Sequence, residues 1–311
     1  MSAVGPKYRR IVLGRPLDLM LSLRLLRFGP HDPTFRLTPD GFCKAVHTSE
    51  GPGLLEVHRR DPVTFDAYGW GPGGPFLLHA VPDFLGFGDE DDGFVPDHPG
   101  LLKLQRSLRG LRLVKTPTVF ETFVPLVFQQ RVAWRDAAWS FREIVRKFAD
   151  PAPGPARKPR LMALPSPRVW REIPQSFYQE KGVDARRAQT LKRAASSWRR
   201  IEETRTMSFE AAARRLEALP GIGPWTSQNT LGFGSGWADA VPLGDYDLPR
   251  LLSYALTGEP RGWDDRMLEL LEPYRGQRFR VIRWIHESGV PTPRFGPRRG
   301  SGPGPGRTRR F

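Results

Sequence analysis

Two acids, Asp245 and Asp247, stand downstream of a short glycine hairpin, Leu219-Pro220-Gly221-Ile222-Gly223. A carboxylate can stabilise developing positive charge, or orient and deprotonate a water. The hairpin offers the opposite polarity. Its two glycines permit a sharp turn with positive φ and let another backbone come close. The N–H groups of the turn and of the next helix's first residues lack internal partners, so they form an anion site. Pro224 suits the first turn of that helix, where its missing N–H costs nothing. For a basic chain the anion to expect is a DNA phosphate, a contact that positions a duplex without reading its sequence. The competing reading is an ordinary helix–turn–helix connection. Of the two acids, Asp247 directly precedes a helix start at Leu248-Pro249 and reads as its N-cap.

The composition agrees with a polyanionic partner. Lys and Arg number 48 against 33 Asp and Glu, a net charge of +15. That surplus suits a nucleic acid or an anionic membrane surface, although free use of Arg, Pro and Gly in a high-GC genome accounts for part of it. At 311 residues, 39% apolar and 11% aromatic, the chain can hold a sizeable core and about two domains. No apolar run approaches the roughly 20 residues of a membrane span, and MSAVGPKYRR lacks the apolar core of a signal peptide. The single cysteine, Cys43, excludes an intrachain disulfide, a cysteine-based zinc site and a four-cysteine cluster. The six histidines have no metal-type spacing, and GFGSG (232–236) lacks a phosphate-loop lysine. These features predict a cytoplasmic, nucleic-acid-facing protein without a metal site.

The elements that must position hairpin and acid follow from pattern. LDLMLSLRL places Leu17, Leu19, Leu21 and Leu23 at period two and predicts a strand. FCKAVHTS, LLEVHRR and VTFDAYGW predict further strands, separated by turn-rich TPDG, SEGPG and RRDP. An acidic, glycine-bearing connector, DFLGFGDEDDGFVPDHPG, follows. From about 98 the spacing is helical: 119–133, 137–148, 166–173, 184–202, 208–219, 224–233, 248–256 and 264–286, with Asp184 and Ser208 as N-caps. The fold class expected is α+β, mainly α. A small antiparallel β domain (1–97) precedes a helical domain (98–290) that carries the hairpin (209–234) and an acid-bearing loop (241–249). From Pro291 the tail has six arginines and no acids among Gly and Pro, a composition that cannot bury a core.

The stretch LPGIGPWTSQNTLGFGSGWADAVPLGDYDLP resembles the signature of the helix-hairpin-helix DNA glycosylases, in the variant of the bacterial 3-methyladenine DNA glycosylase II group and its actinobacterial-type relatives. The resemblance extends to VFETFVPLVFQQRVAWRDA (119–137), KGVDARRAQTLKRAA (181–195) and LLEPYRGQRFRVIRWI (270–285), and the N-terminal β unit matches the extra domain of this subgroup. Residues 10 to 290 are covered, most strongly at 119–133 and 216–250.

The resemblance implies a monofunctional enzyme of base excision repair that flips an alkylated base out of duplex DNA and hydrolyses its N-glycosidic bond. Asp245 takes the family's catalytic position, facing the oxocarbenium-like charge that develops on the sugar. Bifunctional members carry a Lys two positions after the second hairpin glycine, where it forms a Schiff base. Here that position is Trp225, so no lyase step is expected, and its indole forms a wall for a cationic purine. Trp134 and Tyr178, with Trp170 and Phe177 behind them, are further pocket candidates. Gly221, Ile222, Gly223 and Thr226 are expected to grip the DNA backbone. Gln129, Gln130 and Arg131 end a helix where the family inserts a wedge into the vacated stack. The sequence departs from the family here, since alkylbase enzymes often use an apolar wedge and Arg131 takes the aligned position. No cofactor is implied beyond a monovalent cation held by the hairpin carbonyls, and the expected form is a monomer acting on double-stranded DNA. The alternative is a non-catalytic helix-hairpin-helix protein that recognises distorted DNA, for which an acid at 245 beside an aromatic at 225 would have no use.

Overall fold

A computed structural model describes residues 5–91, 93–155 and 159–291. Its N-terminal part is a five-stranded antiparallel sheet in the order β1-β5-β4-β3-β2, with β1 Lys7–Val12, β2 Phe35–Thr38, β3 Gly41–Thr48, β4 Gly51–Arg59 and β5 Thr64–Trp70. The strands at 41–48, 51–59 and 64–70 fall where alternation and turn residues put them. LDLMLSLRL is instead helical: α1 spans Leu19–Leu23 and continues as a 3-10 turn, Arg24–Leu26. The Asp18 carboxylate accepts the Leu21 N–H at 2.9 Å, and the Asp18 N–H donates to Gly110 O at 2.8 Å. A capping acid and leucine's good helix propensity outweigh a period-two pattern this short.

A helix absent from the sequence reading, α2 (Gly74–Phe84), lies across the sheet. Its contact is backbone on backbone: a Cβ at Gly69 would stand 2.4 Å from Gly74 O, and one at Gly74 would stand 2.7 Å from Gly69 C. Leu77, Val81 and Phe84 of α2 fill the layer against Leu55, Val57, Phe65 and Ala67. The glycines and prolines of this segment hid the helix, because they read as turn residues until the close packing explains them.

The remainder is helical: α3 (Pro99–Ser107), α4 (Val119–Gln129), α5 (Trp134–Phe148), α6 (Pro167–Glu172), α7 (Gln175–Glu180), α8 (Ala185–Ser196), α9 (Trp198–Glu202), α10 (Phe209–Glu217), α11 (Pro224–Asn229), α12 (Leu248–Thr257), α13 (Asp264–Leu271) and α14 (Arg278–Glu287). The helix expected at 184–202 divides at Ser197, and that at 264–286 is interrupted by a 3-10 turn, Glu272–Tyr274, and by Gly276 at φ 90°. Two apolar cores result. One joins α4, α5, α8 and α10, and the other joins α3, α12, α13 and α14.

α4 packs against α5, α8, α9 and α11. Its first amides, Val119 N and Phe120 N, donate to the Glu202 carboxylate of α9 at 2.9 and 2.8 Å, so an acid from another helix caps it and complements its dipole. The acidic connector is less exposed than its composition suggests. Asp89 is buried, pairs with Arg280 of α14 at 2.7 Å and accepts the Leu113 N–H at 3.1 Å. Among the described residues no helix is long and apolar enough to cross a membrane. The basic tail expected from Pro291 lies, beyond Pro291 itself, outside the described residues.

Candidate active site

The hairpin between α10 and α11 is built on one glycine and left open at the other. Gly221 adopts φ 95°, and a Cβ there would meet Thr190 Oγ1 at 2.3 Å. Both the dihedral and the packing therefore require glycine. Gly223 has extended backbone at φ −117°, with no protein atom within 4 Å of its Cβ position. The amides of Gly221 and Gly223 have no acceptor among the described residues, and both glycines are exposed. The Ile222 and Thr226 side chains turn the other way. Ile222 is buried in the core joining α4, α5 and α8, and the buried Thr226 hydroxyl accepts from Gln130. Of the four residues expected to hold DNA, only the two glycines present free groups to solvent. α11 continues into a π-helical turn, Thr230–Gly234, a feature frequent at functional sites.

Gln130 fastens this hairpin to the end of α4. Its Nε2 donates to Gly221 O at 3.0 Å and to Thr226 Oγ1 at 2.9 Å. Of the three residues expected at the wedge, its amide is the one engaged by the hairpin. Arg131 follows at φ 56°, exposed at the tip of the turn. The left-handed region costs a residue with a Cβ about 1–2 kcal/mol, and such strain gathers at functional positions.

Asp245 and Trp225 meet. Trp225 Nε1 donates to Asp245 Oδ2 at 2.7 Å, while Asp245 Oδ1 accepts the N–H groups of Asp247 at 2.9 Å and Leu248 at 2.8 Å. Three donors fix the carboxylate's orientation and leave it capacity for a further contact. The capping roles are thus the reverse of the expectation. Asp247 occupies the N-cap position of α12 without a side-chain capping bond, and its carboxylate pairs with Arg250. The chain path explains this: Gly244 at φ 80° turns the loop so that Asp245, two residues earlier, points back at the helix amides.

Asp245 and Trp225 border a cleft of about 1240 Å³ whose lining also includes Gln129, Trp134 and Asn229. Trp134 is 47% exposed and meets Phe28 edge-on at 6.5 Å. Tyr178 does not reach the cleft. It is 0% exposed in the core, and its hydroxyl donates to Trp170 O at 3.2 Å. Burial pushes that phenol well above its ordinary value. Trp170 is equally buried, and Phe177 packs against the same core. The aromatic pocket candidates thus divide between a site and a core.

The sequence reading did not single out several of the residues that line the cleft, a buried charged pair among them. Lys44 of β3 and Glu121 of α4, both buried, line the cleft with Lys44 Nζ 3.2 Å from Glu121 Oε1. Lys44 also donates to Thr34 Oγ1 at 2.9 Å, and Thr34 Oγ1 donates to Asp32 Oδ1 at 2.8 Å. Burial raises the Glu121 carboxyl to about 7, with Lys44 opposing the shift. The signal was present in the sequence: each is a lone charge inside an apolar run, FCKAVHTS and VFETFVPLVF, and charges so placed are buried only with a partner or a purpose.

No family model matches the chain. The putative DNA-3-methyladenine glycosylase YfjP of Bacillus subtilis is 24% identical over 172 residues, which cover 53% of this chain and 58% of that protein, less than two thirds of its length. The 3-methyladenine DNA-glycosylase from Archaeoglobus fulgidus superposes with a TM-score of 0.75 at 17% identity, over 90% of this chain and 98% of its own. The 8-oxoguanine glycosylase/lyase of Clostridium acetobutylicum, in its apo form, gives 0.68 at 12% identity over 92% and 99%. With its hairpin, its acid-bearing loop and a β unit ahead of the helices, this chain has the fold of the helix-hairpin-helix DNA glycosylases.

Proposed function

We propose that the protein is a monofunctional DNA glycosylase that flips an alkylated base into the cleft and hydrolyses its N-glycosidic bond. The observation that carries this reading is the Asp245 carboxylate, clamped by Trp225 Nε1 and two backbone amides at the border of a large cleft beside the hairpin. As the glycosidic bond breaks, positive charge grows on the sugar. A carboxylate already oriented stabilises that charge without reorganising, and it can deprotonate the attacking water. An alkylated purine that is cationic leaves readily, so one acid suffices where glycosidases use two. Position 225 holds an indole in place of an amine, which supports hydrolysis without Schiff-base chemistry.

The free amides of Gly221 and Gly223 supply the grip on a DNA phosphate. Gln130 is engaged by the hairpin and Gln129 lines the cleft, and the exposed position of Arg131 supports it as the residue that enters the vacated stack. A monovalent cation at the hairpin would share Gly221 O with Gln130.

The deciding experiment is base release from methylated duplex DNA under single-turnover conditions, with Asp245→Asn beside the unmodified chain. The expected product is an abasic site with the strand intact. Asp245→Asn should lose about 10²- to 10³-fold in rate while keeping its DNA affinity. DNA binding without base release by the unmodified chain would favour a non-catalytic damage-recognition protein, and borohydride trapping of a covalent adduct would refute the absence of a lyase step.

A further inference from the structure

The side of the sheet turned away from α2 carries an array that base excision does not use. Ile11, Leu55, Val57, Phe65 and Ala67 point inward under α2, whose Phe84 also lines the cleft. Pleating therefore sends their neighbours Tyr8, Arg10, His58, Asp66 and Tyr68 to the outer face. The ring centroids of Tyr8 and Tyr68 stand 5.3 Å apart, and those of Tyr68 and His58 6.0 Å apart, so an aromatic row crosses β1, β5 and β4. One buried carboxylate fixes the groups around it. Asp66 Oδ1 accepts from the Tyr8 hydroxyl at 2.7 Å and from Arg10 Nε at 2.8 Å, and Asp66 Oδ2 accepts from Arg60 Nε. Asp66 is 1% exposed, whereas the Arg10 and Arg60 side chains are 57% and 60% exposed. Glu56 is buried as well and bonds to His58 at 2.9 Å. These acids lie inside, and a partner approaching the row meets guanidinium groups and rings. Beside it runs a groove of about 600 Å³ whose lining includes His58, Arg60, Tyr68 and Trp70; the exposed Asp40 at its rim pairs with Arg59 at 3.6 Å.

We propose that this outer face is a second DNA site, which holds an unpaired strand by stacking its bases on Tyr8, Tyr68 and His58 and pairing its phosphates with Arg10 and Arg60. The two chemistries needed are both present and interleaved. A single strand exposes the faces of its bases, and any base can stack on an aromatic ring, so such a platform binds without reading sequence. A duplex has those faces stacked on one another and offers the row nothing along its length. A guanidinium carries five N–H groups, so Arg10 and Arg60 keep donors beyond those given to Asp66, and charge-assisted bonds to phosphate are the strong ones. Asp66 also lowers the cost of binding. Long side chains ordinarily lose rotamer freedom when they grip a ligand, but here Tyr8, Arg10 and Arg60 are already ordered around one carboxylate. An apolar partner would bury the exposed guanidinium groups without replacing their water. The choice of DNA over RNA rests on the glycosylase reading; the platform itself does not. Since the row lies across the sheet from the cleft, a single strand can occupy it while a duplex occupies the hairpin.

The test uses the full chain and fluorescence anisotropy of a labelled oligothymidine, first alone and then with saturating unlabelled duplex DNA. We expect the oligothymidine to stay bound when the duplex is present. Tyr68→Leu should weaken its binding roughly fivefold to hundredfold, the range of one lost stacking contact, while Tyr68→Phe, which keeps the ring, should bind as the unmodified chain does. Arg60→Gln should reduce the salt dependence, by about 0.7 in slope for a single-strand phosphate contact. Melting curves report whether each variant folds, and the duplex competition on the unmodified chain needs no variant. No binding of the oligothymidine, its full displacement by duplex, or unchanged binding in folded Tyr68→Leu overturns the proposal. Tighter binding of an oligouridine of equal length overturns the assignment to DNA. Tyr68-dependent strand binding without base release from methylated duplex would refute the glycosylase reading and leave the platform standing. Base release by a chain whose strand binding ignores Tyr68 would do the reverse.

Discussion

At Asp245 three donors converge, and one of them is the indole of Trp225. An indole offered only as an aromatic wall would be replaceable by phenylalanine. An indole that orients the carboxylate is not, because the replacement loses a hydrogen bond to a charged group, worth about 1.5–3 kcal/mol. Trp225→Phe should therefore slow single-turnover excision by roughly tenfold or more while substrate affinity changes little. An unchanged rate would restrict Trp225 to the wall. Asp247 is the contrasting case. Its carboxylate is largely exposed and pairs with Arg250, and exposed pairs contribute about 0–1 kcal/mol. Asp247→Asn should fall within that range in urea denaturation and retain full activity; a rate loss matching that of Asp245→Asn would reverse the assignment.

The hairpin separates two glycines that are indistinguishable in sequence. Gly221 is required by the fold, through its positive φ and the Thr190 hydroxyl behind it. Gly221→Ala should cost stability, at least the about 1–2 kcal/mol of a left-handed residue, before any effect on DNA is considered. Gly223 has open space and ordinary extended backbone, so Gly223→Ala should leave the melting temperature nearly unchanged and weaken DNA binding alike for all sequences, as a phosphate contact does. Unaltered affinity in Gly223→Ala would remove this turn from the DNA interface. Gln130 explains why the hairpin and the end of α4 act as one element: two hydrogen bonds from a single amide lock the turn to the helix.

Across the whole molecule, the sheet and the helices meet at buried charges. Asp89–Arg280 and Lys44–Glu121 both join the N-terminal part to the helical part. Glu121 faces Lys44 of β3, Asp32 of the loop before β2 and Glu202 of α9, and its carboxyl stands at about 7 against an ordinary value of 4.5. A raised folded value means that the native state binds the extra proton between those limits. Its contribution to stability is complete below pH 4.5 and is lost as pH rises through about 7. Glu121→Gln removes that titration, so the stability difference between variant and unmodified protein should move in the variant's favour by about 2–3 kcal/mol from pH 4.5 to 8. Urea denaturation at both ends of this range measures it, and a difference independent of pH would show that Glu121 titrates normally.

The sequence by itself determined the hairpin, the acid-bearing loop, three of the strands and most of the helices, because these rest on local rules: turn glycines, caps and the period of apolar residues. It also singled out Asp245 and Trp225, although not that they bond to each other. What it could not reach were matters of long-range packing. α2 was hidden because Gly69 and Gly74 announce turns until another backbone is laid against them. Tyr178 and Trp134 are both aromatics on helices, and only the tertiary fold sends one to the core and the other to the cleft. Lys44 and Glu121 lie in different elements, and nothing local indicates that two isolated charges will face each other. The meeting of β3 with α4 decides it, since a charge can stay buried only where another element brings it a partner.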